Sequence, residues 1–360
     1  MVNNRSMKRP GEIMQGRYRV EELIGTGAFA EVYRGLDLTL NRDVAIKMMK
    51  LSVPVGQPGF DQEAVRQDMM SRFLREARLV SRLRMESTVT LFDFGAEERG
   101  DMFMVLEYVD GETLREHVYR QGAMQAERVA RILRQALISL HEAHSYTLLH
   151  RDIKPENLML FEYLGVPDQV RLVDFGIAKA LQEGKSAATA AGMLVGTPRY
   201  IPPERVTLNE LYPASDLYSL GAVAYYLLTG EEVYKEIEGG PMMILQAQIS
   251  EKDVTLPPWC EVPDELRWIV NRMLCKKLEQ RYAQAFEVIA DLDTFLFLQA
   301  NRRYNISQEL PSVDESMIEP VVDPLEHQIE RRGEQKNALE DEEEEHAPTE
   351  VVAVDPSMFE

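Results

Sequence analysis

The alternation of apolar and polar positions divides the chain into two stretches of different character. Residues 17–23 and 31–34 read as strands on either side of a glycine-containing turn, and 44–49 is a third by its β-branched content and alternation. Pro54, Gly56, Pro58 and Gly59 make 51–66 a loop. A helix follows in which Phe73, Ala77 and Val80 share one face, with Glu76 lodged inside that apolar stripe. Strand-like segments return at 88–94 and 102–108. Beyond Asp110 the period becomes helical. Val129, Ile132, Leu133, Ala136, Leu137, Leu140 and His144 form one stripe. Residues 215–229 are apolar on nearly all sides, which predicts a central buried helix ended by Gly230. Leu266, Ile269, Val270, Met273 and Leu274 form a further stripe, and Phe286, Ile289, Ala290, Leu292 and Phe295 the last. No internal repeat is visible. The pattern predicts an α+β protein, with a small β unit carrying one helix ahead of a larger helical unit.

Charge changes this picture at the C-terminal end. Of the net −20, −12 belongs to residues 301–360, which hold 17 acidic and 5 basic side chains. That segment has several prolines, few aromatics and the acidic run 341–345, so 299–360 is expected to be a disordered tail. An acidic surface repels nucleic acid and anionic lipid and argues against both as main partners. Cys260 and Cys275 are too few for a disulfide framework or a zinc site, which points to a reducing compartment. The longest apolar helix, 217–228, is broken by Ser219 and Gly221 and reads as core rather than a membrane span. Residues 1–17 are polar and expected to be flexible, with no apolar stretch behind their basic residues to suggest a secretory signal. A cytoplasmic protein is the expectation.

The chemistry is concentrated in His150-Arg151-Asp152-Ile153-Lys154-Pro155-Glu156-Asn157, followed by Asp174-Phe175-Gly176. Phosphoryl transfer asks for positioning, metal charge and one acceptor for the incoming hydroxyl proton. Asp152 is the candidate acceptor. Asn157 and Asp174 offer the hard oxygens that Mg²⁺ prefers. Lys154 can neutralise charge on the moving phosphate. Either motif alone is commonplace, but the ordered set with these offsets is not. Gly25 and Gly27, with Ala30 at the third position, suit a loop whose backbone N–H groups approach phosphates, although a plain hairpin would also account for them. Lys47 ends an apolar strand and needs a partner. Glu76 is that partner on this reading, with a surface lysine and a Glu76–Arg72 helix pair as the alternatives. Backbone groups of Glu107 and Val109 could meet an adenine edge, with Leu106 behind, Val32 and Ala45 on one face and Met159 on the other, and Ile24 as a further nucleotide-binding candidate, or the segment could be plain core strand and turn. Residues 177–200 are rich in small and hydroxyl side chains. Ser186 and Thr189 are candidate phosphate acceptors there, with Arg151 placed to bind the phosphate. Thr197 is expected near Asp152 and Lys154.

Taken in order, 25–32, Val44-Ala45-Ile46-Lys47, Glu76, 150–157, 174–176 and Pro202-Pro203-Glu204 resemble a eukaryotic-type (Hanks-type) Ser/Thr protein kinase domain over residues 18–298, most like the bacterial branch. The resemblance implies a two-lobed fold with ATP and Mg²⁺ (or Mn²⁺) bound between the lobes, and protein substrates. It further implies that Asp216 braces the catalytic loop, that Arg281 pairs with Glu204, and that Ile177 favours threonine acceptors. The departures are Ala30 for a glycine, 29 residues between Lys47 and Glu76, Pro202 for a small residue, and a lengthened turn at 161–169. A nucleotide-binding pseudokinase or scaffold is the alternative; it commonly lacks one of Lys47, Glu76, Asp152, Asn157 and Asp174, all present here. In the tail, Thr349 with Val352 three residues on resembles a phosphothreonine site for a forkhead-associated domain, against the plainer reading of a solvated acidic tail.

Overall fold

The computed structural model describes residues 8–27, 30–50, 62–97, 101–177, 197–208, 210–238 and 240–308. Six antiparallel strands form the first sheet: β1 (Ile13–Met14), β2 (Tyr18–Thr26), β3 (Ala30–Asp37), β4 (Arg42–Met49), β5 (Leu91–Ala96) and β6 (Met102–Glu107), in the order β1-β2-β3-β4-β6-β5. Side chains alternate across a strand, so each face collects its own set. Val44, Ile46 and Met48 join Met14, Tyr18, Val20, Tyr33, Phe103 and Val105 in an outer cluster. Met49 and Met104 point the other way and pack with α1 (Gln62–Val80) through Met69, Phe73 and Ala77. Phe73 meets Phe94 edge-on at 6.4 Å. Lys47 shares the α1 side with Met49, because the two positions differ by two.

The larger unit is built on α5 (Pro213–Thr229), a helix buried on nearly every side as its composition predicts. Preceding it are α2 (Leu114–Gln121), α3 (Ala126–Ser145) and the short α4 (Pro203–Thr207); after it come α6 (Pro241–Ile249), α7 (Asp264–Met273) and α8 (Ala285–Gln308). Thr113 and Glu116 cap α2 reciprocally. Gly230 ends α5 in the left-handed region at φ 73°, which a residue without Cβ adopts freely. Within α5, a Cβ built at Gly221 would lie 2.9 Å from the Met273 Cβ and 3.3 Å from the Leu274 Cγ, so glycine sets how closely α5 and α7 approach. Gly221→Ala is expected to cost about 1–3 kcal/mol by overpacking, read as a lower denaturation midpoint; an unchanged midpoint would show that α7 gives way freely.

The α+β, two-part architecture is as expected, with five local differences. The sheet starts earlier than residue 18, because Met14 is needed to close the outer cluster and is only 1% exposed. The stretch 161–169 is not merely a long turn. It joins β8 (Leu158–Tyr163) and β9 (Val166–Leu172), which form a second sheet with β7 (Glu112–Thr113). α1 starts inside the expected loop 51–66; residues 51–61 lie outside the described ones. In α8 the buried stripe is Ala285, Val288, Leu292 and Phe295, whereas Phe286 is 53% exposed and Ala290 is exposed too. Phe286 instead lies edge-on to His141 at the surface. The helix also continues past the expected boundary at 298.

Candidate active site

Asp216, in the first turn of α5, organises the loop that follows α3. It is 3% exposed and accepts from the backbone N–H of His150 (2.9 Å), that of Arg151 (3.0 Å), and the Nε2 of His144 (2.9 Å). Burial opposes its ionisation, but the His144 hydrogen bond and the fields of His144 and His150 hold its carboxyl below the ordinary aspartate value. These bonds sustain Arg151 at φ 66°, a left-handed conformation costly for a residue with a side chain. His144 was legible only as the last member of an apolar stripe; a polar residue ending such a stripe was the signal of a buried partner.

His150 ties this loop to the segment at 173–176. Its Nε2 donates to the Val173 carbonyl (3.0 Å), and its Nδ1 accepts from the Asp152 N–H (3.3 Å), which together fix the tautomer. The Phe175 ring lies 4.7 Å from the imidazole. Gly176 donates its N–H to the His150 carbonyl (2.8 Å), and a Cβ there would come within 2.9 Å of that oxygen, so the third position of Asp-Phe-Gly tolerates no side chain. Burial pushes the His150 imidazole below its ordinary value. The unfolded chain protonates this group below pH 6.5 while the folded chain does not, so stability falls as the pH drops through that value, and Asp216 adds a further loss below pH 3.8. The urea midpoint should decline steadily from pH 7 to pH 5; a flat profile would contradict a buried neutral His150.

The acidic and basic groups of the two motifs converge here. Lys154 Nζ lies 3.2 Å from Asp152 Oδ2. Asn157 donates its Nδ2 to the Asp152 carbonyl (2.7 Å) and accepts at its own carbonyl from Val173 N–H (2.9 Å). With its Nδ2 so engaged, the Asn157 side-chain oxygen is the end left as an acceptor. Asp174, at φ 61°, contacts Lys47 Nζ. Asn157 and Asp174 thus present hard oxygens on adjacent backbone segments, a donor set that suits a small divalent cation sharing its shell with phosphate and water. Among the described residues there is no cluster of three His, Cys, Asp or Glu that could hold a metal by itself. A small cleft opens beside Asp152 and Lys154, lined also by Thr197, Tyr200, Arg205 and Ser215. It places Thr197 with Asp152 and Lys154, as expected.

One expected pairing differs. Lys47, 6% exposed, has Asp174 as its ion partner, while Glu76 is buried on α1 with Arg75 Nη2 at 3.6 Å. Of the two candidate carboxylates, Lys47 contacts that of Asp174. The alternative partner for Glu76, Arg72, pairs instead with Asp68.

The expected apolar wall lies on the first sheet, with Val32 opposite Lys47 on neighbouring strands and Ala45 opposite Leu106. These three, with Val109 and Met159, are only partly buried although Val44 and Ile46 beside them are 0% exposed, so the wall has area to offer a ligand. Ile24 is 46% exposed at the end of β2. The Glu107 N–H is already donated to the Thr90 carbonyl (2.8 Å), and its carboxylate faces Arg171 Nε at 3.3 Å. Any ligand contact at Glu107 must therefore use its carbonyl. Away from the cleft, Arg281 forks onto Glu204 (2.9 and 3.3 Å), both fully interior, and its remaining donors reach the Ala214, Cys275 and Lys276 carbonyls. Ser186, Thr189 and Thr349 lie outside the described residues.

Comparison with known proteins agrees with this geometry. A family profile described as Protein kinase domain matches residues 18–291. The chain is 37% identical over 222 residues to serine/threonine-protein kinase pkn3 of Myxococcus xanthus, covering 61% of this chain and 39% of that one. It is 34% identical over 285 residues to serine/threonine-protein kinase PknB of Mycolicibacterium smegmatis (78% and 43%), and 33% identical over 283 residues to serine/threonine-protein kinase PknL of Mycobacterium tuberculosis (78% and 66%). The chain spans about two fifths of the length of the first two of these relatives. Among the described residues no helix is long and apolar enough to cross a membrane. With the profile covering most of the chain and the Asp152, Asn157 and Asp174 segments joined as described, the chain belongs to the protein kinase family, in the eukaryotic-type Ser/Thr branch that has bacterial members.

Proposed function

We propose that this chain is an active Ser/Thr protein kinase, transferring the γ-phosphoryl group of ATP to hydroxyls of protein substrates. The observation that carries the reading is the pairing of Lys154 with Asp152, of Asn157 with the Asp152 carbonyl and of Lys47 with Asp174, on segments joined by the Val173–Asn157 and Gly176–His150 backbone bonds. Kinase domains in general use ATP with a divalent metal. Here Asn157 and Asp174 would hold magnesium or manganese, which supplies positive charge to the phosphates. Asp152 accepts the proton of the attacking hydroxyl as its oxygen bonds to phosphorus and ADP departs. Lys154 neutralises charge on the transferred group. Lys47, now paired with Asp174, would bind the α and β phosphates of the nucleotide, with Glu76 as the buried carboxylate that would steady it there. Val32, Ala45, Leu106 and Met159 sandwich the adenine, with Ile24 at the mouth and the Glu107 carbonyl and Val109 N–H at its edge. Gly25 and Gly27 let the loop between β2 and β3 close over the phosphates.

The kinase domain is taken as 18–298, flanked by 1–17 and an acidic tail at 299–360. Ser186 and Thr189 are the proposed switch sites, and Thr349 with Val352 a proposed docking site for a forkhead-associated domain. Two free thiols, Cys260 and Cys275, fit a cytoplasmic setting. Incubation of the purified chain with labelled ATP and Mg²⁺, followed by site mapping, tests the reading. Label at Ser186, Thr189 or Thr349 supports autophosphorylation. Nucleotide binding without label on the chain or on an added protein substrate would favour a scaffold.

A further inference from the structure

A closed ring of contacts ties the end of β6 to β9. The Glu107 N–H donates to the Thr90 carbonyl (2.8 Å), and the Thr90 N–H donates back to Glu107 Oε2 (3.2 Å). One residue earlier, the Val89 N–H donates to the Leu172 carbonyl (3.1 Å), and the Leu172 N–H donates to the Ser87 carbonyl (2.8 Å). Arg171 closes the ring, with its Nε 3.3 Å from both carboxylate oxygens of Glu107. Both side chains are largely withdrawn from solvent, so water screens the pair only in part. Arg171 stands opposite Met159 across β8 and β9, and its guanidinium lies 4.9 Å from the centre of the Phe161 ring. Paired positions share a face of the sheet, so Arg171 emerges beside Met159, the residue proposed to cover one face of the adenine.

Glu107 and Arg171 belong to different halves of the proposed nucleotide site. Glu107 ends β6 at the edge that the nucleotide reading gives to the base. Arg171 stands three residues before Asp174, which that reading gives to the metal and phosphates. The strand between them is pinned, because the Val173 N–H donates to the Asn157 carbonyl (2.9 Å) and the Val173 carbonyl accepts from His150 Nε2 (3.0 Å). A ligand that spans two half-sites gains over its separate fragments only while the spacing of the half-sites matches its own length. We propose that Arg171 is a positioning residue for the nucleoside triphosphate, setting the spacing between the base edge and the metal-bearing segment through the Glu107 carboxylate. This rests on the nucleotide reading of the site. The backbone route through Thr90 and Val89 keeps the two strands joined without Arg171, so its loss alters spacing and stiffness rather than the fold. Arg171 belongs to none of the motifs that announce the site.

The test uses the full chain with Arg171→Gln, Arg171→Lys, Glu107→Gln and the double glutamine variant. Affinities are measured for ATP with Mg²⁺, for adenosine, and for inorganic triphosphate with Mg²⁺, with the thermal midpoint alongside. Arg171→Gln should weaken ATP by about five- to tenfold, the loss of one charge-assisted contact. Adenosine and triphosphate, each filling one half-site, should stay within about twofold. Arg171→Lys should recover part of the loss, because it keeps the charge but not the planar group over Phe161. Glu107→Gln should weaken ATP as Arg171→Gln does, and the double variant should lose no more than either single one, since both remove the same contact. Equal weakening of ATP and adenosine, additive losses in the double variant, or an unchanged ATP affinity overturns the proposal. A lower thermal midpoint with an unmoved ratio of ATP to fragment affinity also overturns it, leaving a structural contact only. If the wild type binds none of the three ligands, the nucleotide reading itself fails and takes the proposal with it; wild-type binding with no effect of Arg171→Gln sinks the proposal alone.

Discussion

Asp152→Asn is expected to lower phosphoryl transfer by about 10²- to 10⁴-fold, the range associated with removing a positioned proton acceptor, while ATP affinity stays close to that of the wild type. The substitution keeps the shape of the side chain. Asn157 bonds the backbone carbonyl of residue 152 and not its carboxylate, so that bond survives, as does the Asp152 N–H bond to His150. The substitution directly alters the 3.2 Å pair with Lys154. The expected signature is therefore a fall in kcat with little change in nucleotide KM or thermal midpoint. Single-turnover transfer to a threonine peptide separates this from a folding defect. A variant retaining more than about a tenth of wild-type turnover would remove Asp152 from the proton-accepting role.

Arg281→Met should destabilise the larger unit by about 3–5 kcal/mol, because it leaves Glu204 ionised in the interior without its counter-charge. The arginine is 0% and the glutamate 4% exposed by side chain, so water cannot compensate for the loss. Three main-chain carbonyls, those of Ala214, Cys275 and Lys276, also lose a donor. In a domain of this size a loss of that magnitude corresponds to a fall in thermal midpoint on the order of 10 °C. Replacing both charges, as Glu204→Leu with Arg281→Met, should recover part of it, because the uncompensated charge is then gone even though Ser215 loses its 2.5 Å acceptor. A single variant within about 1 kcal/mol of the wild type would mean that the interior around α4 and α5 is wetter than its packing implies.

The parts of the site that were legible in advance are those whose chemistry is local. Asp152, Lys154 and Asn157 lie within six residues, where turn geometry alone brings them together. Gly176 follows two residues after Asp174, and its lack of a side chain meets a backbone requirement at the His150 carbonyl. The buried helix 215–229 was legible because an apolar helix of that length has nowhere to go but the interior. Less was visible where a short apolar run had a choice of partners. β1 holds only two residues, and nothing in Ile13–Met14 states that a cluster of Tyr18, Val20 and Tyr33 needs closing. Phe286 looked like core because its spacing fits a stripe, but the packing surface lies one position further round the helix, on Ala285 and Val288.

The amino-acid sequence by itself determined which groups are available for chemistry, their order, and the local turns that present them, because these depend on interactions a few residues long. Only the tertiary structure decided how those groups are paired. Asp174 lies 127 residues from Lys47 and nonetheless makes the contact, whereas Glu76, only 29 residues away, is directed elsewhere by the seat of α1. The same holds for His144 against Asp216 and Arg171 against Glu107. A charge takes the partner that packing brings within about 3 Å, and burial, which makes each such contact strong and each omission costly, is a property of the assembled fold.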